Sequence, residues 1–95
     1  MEKGDVVSVV AMSGEYVGKL TAIDDVKVCL KDPRMIVQSQ QGMGFARGIA
    51  VTGDENPTEV EFRSVVFLTP PNDDIVSAWQ EATGAIVTAH TNIIV

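Results

Sequence analysis

The side chains that could catalyse an acid–base reaction are two pairs of adjacent aspartates, Asp24 with Asp25 and Asp73 with Asp74. Two neighbouring carboxyl groups can divide the roles of general acid and general base when their pKa values are pushed apart. Aspartate is also common in turns and at helix starts, where its carboxylate accepts backbone hydrogen bonds. Because both pairs fall at predicted turns or helix starts, we expect them to be structural.

A nucleophilic or metal site has equally little support. The one histidine, His90, lies in an apolar segment and is expected to be a partly packed strand residue rather than a general base. The one cysteine, Cys29, is predicted inside an apolar strand, and a lone cysteine excludes an internal disulfide. The sequence contains no phosphate-binding loop, dinucleotide-binding loop, zinc-hydrolase motif or EF-hand loop. It therefore predicts no enzyme, cofactor or metal, and leaves binding or assembly as the function.

The distribution of charge indicates one region that could contact an anionic polymer. The chain has 7 basic and 13 acidic residues and a formal net charge of −6, which disfavours general nucleic-acid binding. Segment 16–49, in contrast, holds more basic than acidic residues. Any contact with nucleic acid is expected there, although composition alone favours the interpretation that these lysines form the solvated face of a sheet.

Size and hydropathy are typical of one small globular domain. The 95 residues have a mass of 10.2 kDa, and 45% of them are hydrophobic, which is enough to offset the entropy lost on folding. No apolar run is long enough to span a bilayer, and the first residues lack the pattern of a signal peptide. We expect a single domain over residues 1–95, in the cytoplasm and without a membrane partner.

Short runs of β-branched and alternating residues predict a mostly β chain. A run at 5–12, a turn, and an alternating run at 15–23 predict a hairpin. Gly18, inside the second run, predicts a bend or a close approach of two backbones, as in a small barrel. The remaining predicted elements are a strand at 26–31, a bend or bulge at 32–33 with a continuation at 35–37, a loop or loose hairpin tip at 38–44, a strand at 45–51, and two strand segments at 58–69 with a kink at Arg63 and Ser64.

The predicted core follows from the apolar positions of these strands. Val26, Val28 and Leu30 alternate and are expected on one face. The stretch V-V-F-L at 65–68 is apolar throughout, so it is expected to be buried on both sides. Phe62 and Phe67 are accordingly predicted to be core residues.

One helix is predicted at about 72–83. Asn72 is a good N-cap, the two aspartates after it suit the positive end of the helix dipole, and Gly84 is a C-terminal stop. Trp79 is expected to anchor the helix. The predicted apolar face comprises Ile75, Ala78, Trp79 and Ala82.

The segment that follows, A-I-V-T-A-H-T-N-I-I-V at 85–95, has no acidic or strongly basic side chain. An uncovered strand of this composition would tend to aggregate. We therefore expect a terminal strand that pairs with a sheet edge of its own chain or of a neighbouring copy, which indicates an oligomer.

Two stretches of the sequence resemble the motifs of the Sm and LSm proteins. The first Sm motif, a turn glycine followed by aromatic-x-Gly-x-Leu-x-small-aromatic-Asp, is similar to S-G-E-Y-V-G-K-L-T-A-I-D at 13–24, with Ile23 in the second aromatic slot. The second Sm motif, in which Arg-Gly divides two strands, is similar to V-E-F-R-S-V-V-F-L at 60–68, with Ser64 in place of the glycine. The small Sm-like proteins of tailed phages, which add a strand and a helix after the barrel, are also similar.

This resemblance implies a strongly bent five-stranded small barrel of the SH3 type over about residues 5–69. It also implies a homo-oligomeric ring of roughly five to seven subunits, closed by pairing between the fourth and fifth strands of neighbours. For a phage protein, the expected location is the host cytoplasm.

The resemblance further implies that single-stranded RNA binds at the inner rim of the ring. Asp24 and Arg63 match family positions there, and Lys27 could meet a phosphate or lie over a base. The usual asparagine and stacking residue are missing from this loop. The alternative is a ring without RNA binding, a structural or protein-interaction module that meets a protein partner through its acidic surface and the helix around Trp79.

Overall fold

The computed structural model describes residues 1–46 and 48–84. The predicted terminal strand at 85–95, with His90, lies outside the described residues, and so does Arg47. The described chain is mostly β, with six antiparallel strands and one short helix near its C-terminal end.

The first two strands form the predicted hairpin. Strand β1 (Val6–Ala11) pairs antiparallel with β2 (Gly14–Ile23), from Val6 opposite Lys19 to Ala11 opposite Gly14. The inward residues of β1, Val7 and Val9, have no exposed surface. The predicted hairpin is therefore confirmed, and both of its faces carry buried residues, since Ser8 and Val17 are buried as well.

Strand β3 (Lys27–Ser39) carries the predicted bulge in its middle. Arg34 pairs with Val17 and Lys31 pairs with Lys19, so that Asp32 and Pro33 together lie opposite Gly18. Asp32 has a φ of +50°, and its N–H donates to the carbonyl of Thr58 instead of to β2. The extra residue bends the strand and increases its twist.

The predicted strand at 45–51 is wrong. Strand β4 is Gly42–Phe45, and it pairs with the second half of β3 across a turn at 40–41. The loop or hairpin tip expected at 38–44 is thus reduced to a turn at 40–41, and the residues on both sides of it belong to strands. Residues 48–57 form turns and bends, because the glycines and Pro57 in this region favour turns over a ladder.

The predicted kink at Ser64 is confirmed. Strand β5 (Glu59–Arg63) pairs with β3, and β6 (Val65–Thr69) pairs with β1. Between them Ser64 has a φ of +58°, a left-handed conformation that glycine adopts more easily. The strand order is β4-β3-β2-β1-β6 with β5 on β3, and the hydrogen-bonded sheet of the described residues does not close into a barrel.

The core lies between the hairpin and the strands that follow it. Tyr16 and Phe62 contact each other there, with ring centroids 4.7 Å apart, so the core prediction for Phe62 is confirmed. The buried cluster comprises Val7, Val9, Tyr16, Leu20, Val28, Leu30 and Phe62.

The predicted burial of Val66 and Phe67 is wrong. Phe67 is 52% exposed and Val66 is 57% exposed, although both were expected in the core. Strand β6 has β1 as its one partner among the described strands, so its other edge stays open. Val26 was predicted to begin the third strand on the same face as Val28 and Leu30, but it is 62% exposed and belongs to the turn before β3.

Helix α1 (Asp73–Thr83) has the predicted caps. The Asn72 side chain accepts a hydrogen bond from the Ile75 N–H, and Gly84 ends the helix in the left-handed conformation. Trp79 is 2% exposed, and its Nε1 donates to the Asp32 carbonyl at 2.8 Å. The helix is therefore fixed to the bulge of β3. Ala78 and Ala82, expected on the buried face, are exposed.

Candidate functional site

The turn between β2 and β3 is built around the carboxylate of Asp24. Its Oδ1 accepts hydrogen bonds from the backbone N–H of Val26 at 2.7 Å and of Lys27 at 2.9 Å. The Asp24 N–H donates in turn to the Lys27 carbonyl at 3.0 Å. This arrangement is a side-chain-capped turn. It fixes the backbone from which the Lys27 side chain extends.

Lys27 and Arg63 are brought together by the register of the sheet. The two residues lie directly opposite each other in the antiparallel β3–β5 pair. Like charges at such a position repel unless an acidic group lies between them. The structure thus joins two of the predicted site residues across strands that are distant in sequence.

Glu61 is the acidic group between the two cations. Its Oε2 accepts a hydrogen bond from Arg63 Nε at 2.7 Å, and its Oε1 lies 3.6 Å from Lys27 Nζ. The sequence did not single out Glu61 as the partner of these cations. Strand periodicity could have identified Glu61, because residues two apart on a strand share a face and Glu61 lies two residues before Arg63.

The cations and the turn lower the pKa of both carboxyls. The backbone hydrogen bonds from Val26 and Lys27 lower the pKa of Asp24. The hydrogen bond from Arg63 lowers the pKa of Glu61, with a further contribution from the Lys27 charge. Ionisation of these two groups favours the folded state above about pH 4, and the contribution is lost as the pH falls through the lowered values.

The cluster of Asp24, Lys27, Glu61 and Arg63 has no net charge, since two carboxylates balance two cations. We call it the rim cluster. A single chain therefore offers a phosphate little long-range attraction at this point. The Arg63 side chain is nevertheless 66% exposed, so a ligand can reach it.

A cleft of about 270 Å³ borders the rim cluster. Asp24 and Lys27 line one side, and residues of β6 line the other, among them the exposed Val66 and Phe67. Charged groups and an uncovered apolar strand thus share one surface. The arrangement suits contact with another macromolecule rather than enclosure of a small molecule, because the cleft is open and shallow.

A metal site in a protein needs several His, Cys, Asp or Glu side chains close together. In residues 1–46 and 48–84, no group of three or more His, Cys, Asp and Glu side chains is placed to hold a metal ion. Cys29 is buried and free.

No protein-family model and no curated protein matches this chain. None of the helices in the described segments has the length and apolarity needed to cross a membrane. Function must therefore be argued from the surfaces described above.

Proposed function

We propose that this chain is the subunit of a homo-oligomeric ring, assembled by strand pairing between neighbouring copies. The observation that carries the proposal is the open edge of β6, which exposes Val66 and Phe67. An exposed apolar edge strand promotes aggregation unless another strand covers it. A second copy of the chain can supply that strand.

Strand β5 offers the complementary edge. It pairs with β3 on one side, and its other edge has no partner among the described strands. Pairing β6 of one copy with β5 of the next is a head-to-tail contact, and such contacts close into a ring when the rotation between subunits is right. A ring of roughly five to seven copies would leave no open β5 or β6 edge.

The resemblance to Sm proteins supports the same assembly. Ser64 takes the positive φ that suits glycine, and it stands where the second Sm motif has its glycine. The segment 59–69 pairs with β3 through its first half and with β1 through its second, as a strongly bent small barrel requires. We include this Sm-like barrel in the proposal.

Replacing Phe67 with glutamate tests the ring. A charge on the β6 edge should prevent strand pairing between copies, so the F67E variant should have the mass of one chain, while the unaltered protein has roughly five to seven times that mass. Size-exclusion chromatography with light scattering measures this mass. Circular dichroism should be unchanged, because Phe67 is half exposed and outside the core cluster.

Val51→Glu is the matched control, since Val51 is fully exposed in the 48–57 region and lies on neither edge strand. This variant should keep the oligomeric mass. The ring proposal fails if the unaltered chain is a monomer at micromolar concentration, or if both glutamate variants assemble equally well.

A second proposed function is the binding of single-stranded RNA at the inner rim of this ring. It is favoured by the direct juxtaposition of Lys27 and Arg63 beside an open cleft. In a ring, every subunit would contribute both cations, which raises the local positive potential. Asp24 would act indirectly by holding the turn, and Glu61 would reduce the attraction because it already pairs with both cations.

Binding of an oligo-uridine at several salt concentrations tests this second function. The Lys27→Ala and Arg63→Ala rings should bind several-fold more weakly, and the slope of log affinity against log salt should fall by about 0.7 for each phosphate contact removed. Glu61→Gln should strengthen binding, because it removes a negative charge and releases Arg63. Fluorescence anisotropy measures all three variants.

Lys3→Ala is the control, because it removes one positive charge outside the rim cluster. It should change neither the affinity for oligo-uridine nor the slope of log affinity against log salt. An intact ring that does not bind oligo-uridine at low salt would refute the RNA function. That result would favour the structural or protein-interaction module, for which the surface of α1 remains a candidate contact. Trp79 itself is buried and would act by holding the helix.

A further inference from the structure

A second apolar depression lies between helix α1 and the β3–β4 hairpin, away from the rim cluster. It has a volume of about 420 Å³. We call it the helix groove. One wall is formed by α1 and the other by the hairpin, and the lining residues are Ile36, Met43, Gly44, Phe45, Ile75, Ala78, Glu81 and Ala82.

The groove has the character of a surface that is normally covered. Glu81 is its one charged lining residue, and the rest are apolar or glycine. Met43 is 56% exposed, and Ala78 and Ala82 are exposed on the helix. Strand β4, which supplies three consecutive lining residues, has β3 as its one partner among the described strands. An added strand could therefore gain both apolar contact and backbone hydrogen bonds here.

We propose that the helix groove is the binding site for residues 85–95 of the same chain. This segment begins immediately after Gly84, and the helix turn before it supplies Glu81 and Ala82 to the groove. The tether makes binding intramolecular, with an effective concentration in the millimolar range.

The length of the segment is sufficient. Eleven extended residues span up to about 36 Å, whereas the helix is about 16 Å long. The left-handed cap at Gly84 ends the helix and turns the chain away from its axis. Five or six residues would then be enough to run back along the full length of α1.

The composition of the segment also fits. Five of its residues, Ile86, Val87, Ile93, Ile94 and Val95, are β-branched and apolar, which suits an added strand. It has no acidic side chain that would repel Glu81. Binding of this segment would remove the exposed apolar surface of the groove from water.

Hydrogen exchange of the full-length protein tests the proposal. The backbone amides of 85–95 should exchange at least tenfold more slowly than those of an unstructured peptide. Ala78→Lys should abolish this protection, because the long charged side chain would occupy the groove. Ser77→Lys is the matched control, because Ser77 does not line the groove. In both variants the new lysine lies four residues after an aspartate, Asp74 for Ala78→Lys and Asp73 for Ser77→Lys, so the two lysines have the same favourable charge pair on the helix.

In the Ser77→Lys control, the backbone amides of 85–95 should still exchange slowly. Unprotected amides in the unaltered protein, or protection that survives Ala78→Lys, would overturn the proposal. A pair of cysteines, Ala78→Cys with Val87→Cys, then identifies the chain that supplies the segment, because three extended residues after Gly84 reach about as far back along the helix as Ala78. A disulfide within one chain is expected on a non-reducing gel, whereas a ladder of linked chains would show that the segment crosses to a neighbour and would also overturn it.

Discussion

Replacing Trp79 with alanine is expected to lower the free energy of unfolding by about 3–5 kcal/mol, the usual cost of removing a fully buried aromatic side chain. Trp79 is the largest fully buried side chain among the described residues. It connects α1 to the β3 bulge through the hydrogen bond from its Nε1 to the Asp32 carbonyl. Urea denaturation at one fixed subunit concentration measures the change, since assembly contributes to apparent stability.

Trp79→Phe separates packing from hydrogen bonding. Phenylalanine keeps most of the apolar volume but leaves the Asp32 carbonyl without its donor, which costs about 1–3 kcal/mol. The phenylalanine variant should therefore be clearly more stable than the alanine variant. A loss below about 1 kcal/mol for Trp79→Ala would contradict the anchoring role that the structure gives this residue.

Replacing Gly18 with valine is expected to destabilise the fold by about 1–3 kcal/mol through overpacking. A Cβ at this position would lie 3.0 Å from Leu30 Cβ and 3.1 Å from the Lys31 carbonyl oxygen. The backbone oxygen cannot rotate away, so the two strands would have to separate where the bulge of β3 bends around β2. Thermal denaturation followed by circular dichroism measures the effect.

Gly18→Ala should give a smaller loss in the same direction. Gly53→Ala is its control, because a Cβ there would meet nothing closer than Ala50 Cβ at 3.4 Å, an ordinary contact. The control should change stability by less than about 0.5 kcal/mol. If Gly18→Ala and Gly53→Ala changed stability equally, the close contact of Gly18 with β3 would not be the reason that glycine is needed at position 18.

The parts of the fold that the sequence predicted correctly are those with local signals. The β1–β2 hairpin follows from alternation, the helix from its caps, and the kink from the change of period at Ser64. Each of these signals depends on residues within about one turn or strand of the feature itself. The close approach at Gly18 was predicted in the same way, because a strand glycine commonly marks one.

The errors arose where burial or pairing depends on distant residues. The run V-V-F-L predicts apolar surroundings, but it does not distinguish the core of one chain from contact with another copy. Phe67 is 52% exposed in the single chain, although the pattern predicted burial. Glu61 was missed because its contact with Lys27 depends on the β3–β5 register, which pairs segments about 30 residues apart and is not set by any short motif.

The pairing of β1 with β6 has a consequence for how the chain folds. The N-terminal strand obtains its second neighbour from residues 65–69, near the far end of the described chain. Contacts so distant in sequence slow folding, because a long loop must close before they form. During synthesis on the ribosome, the β1–β2 hairpin would emerge before β6, with one side of β1 uncovered. Docking of β6 would be a late step, which makes the half-finished chain, rather than the mature protein, the species that most needs protection by chaperones.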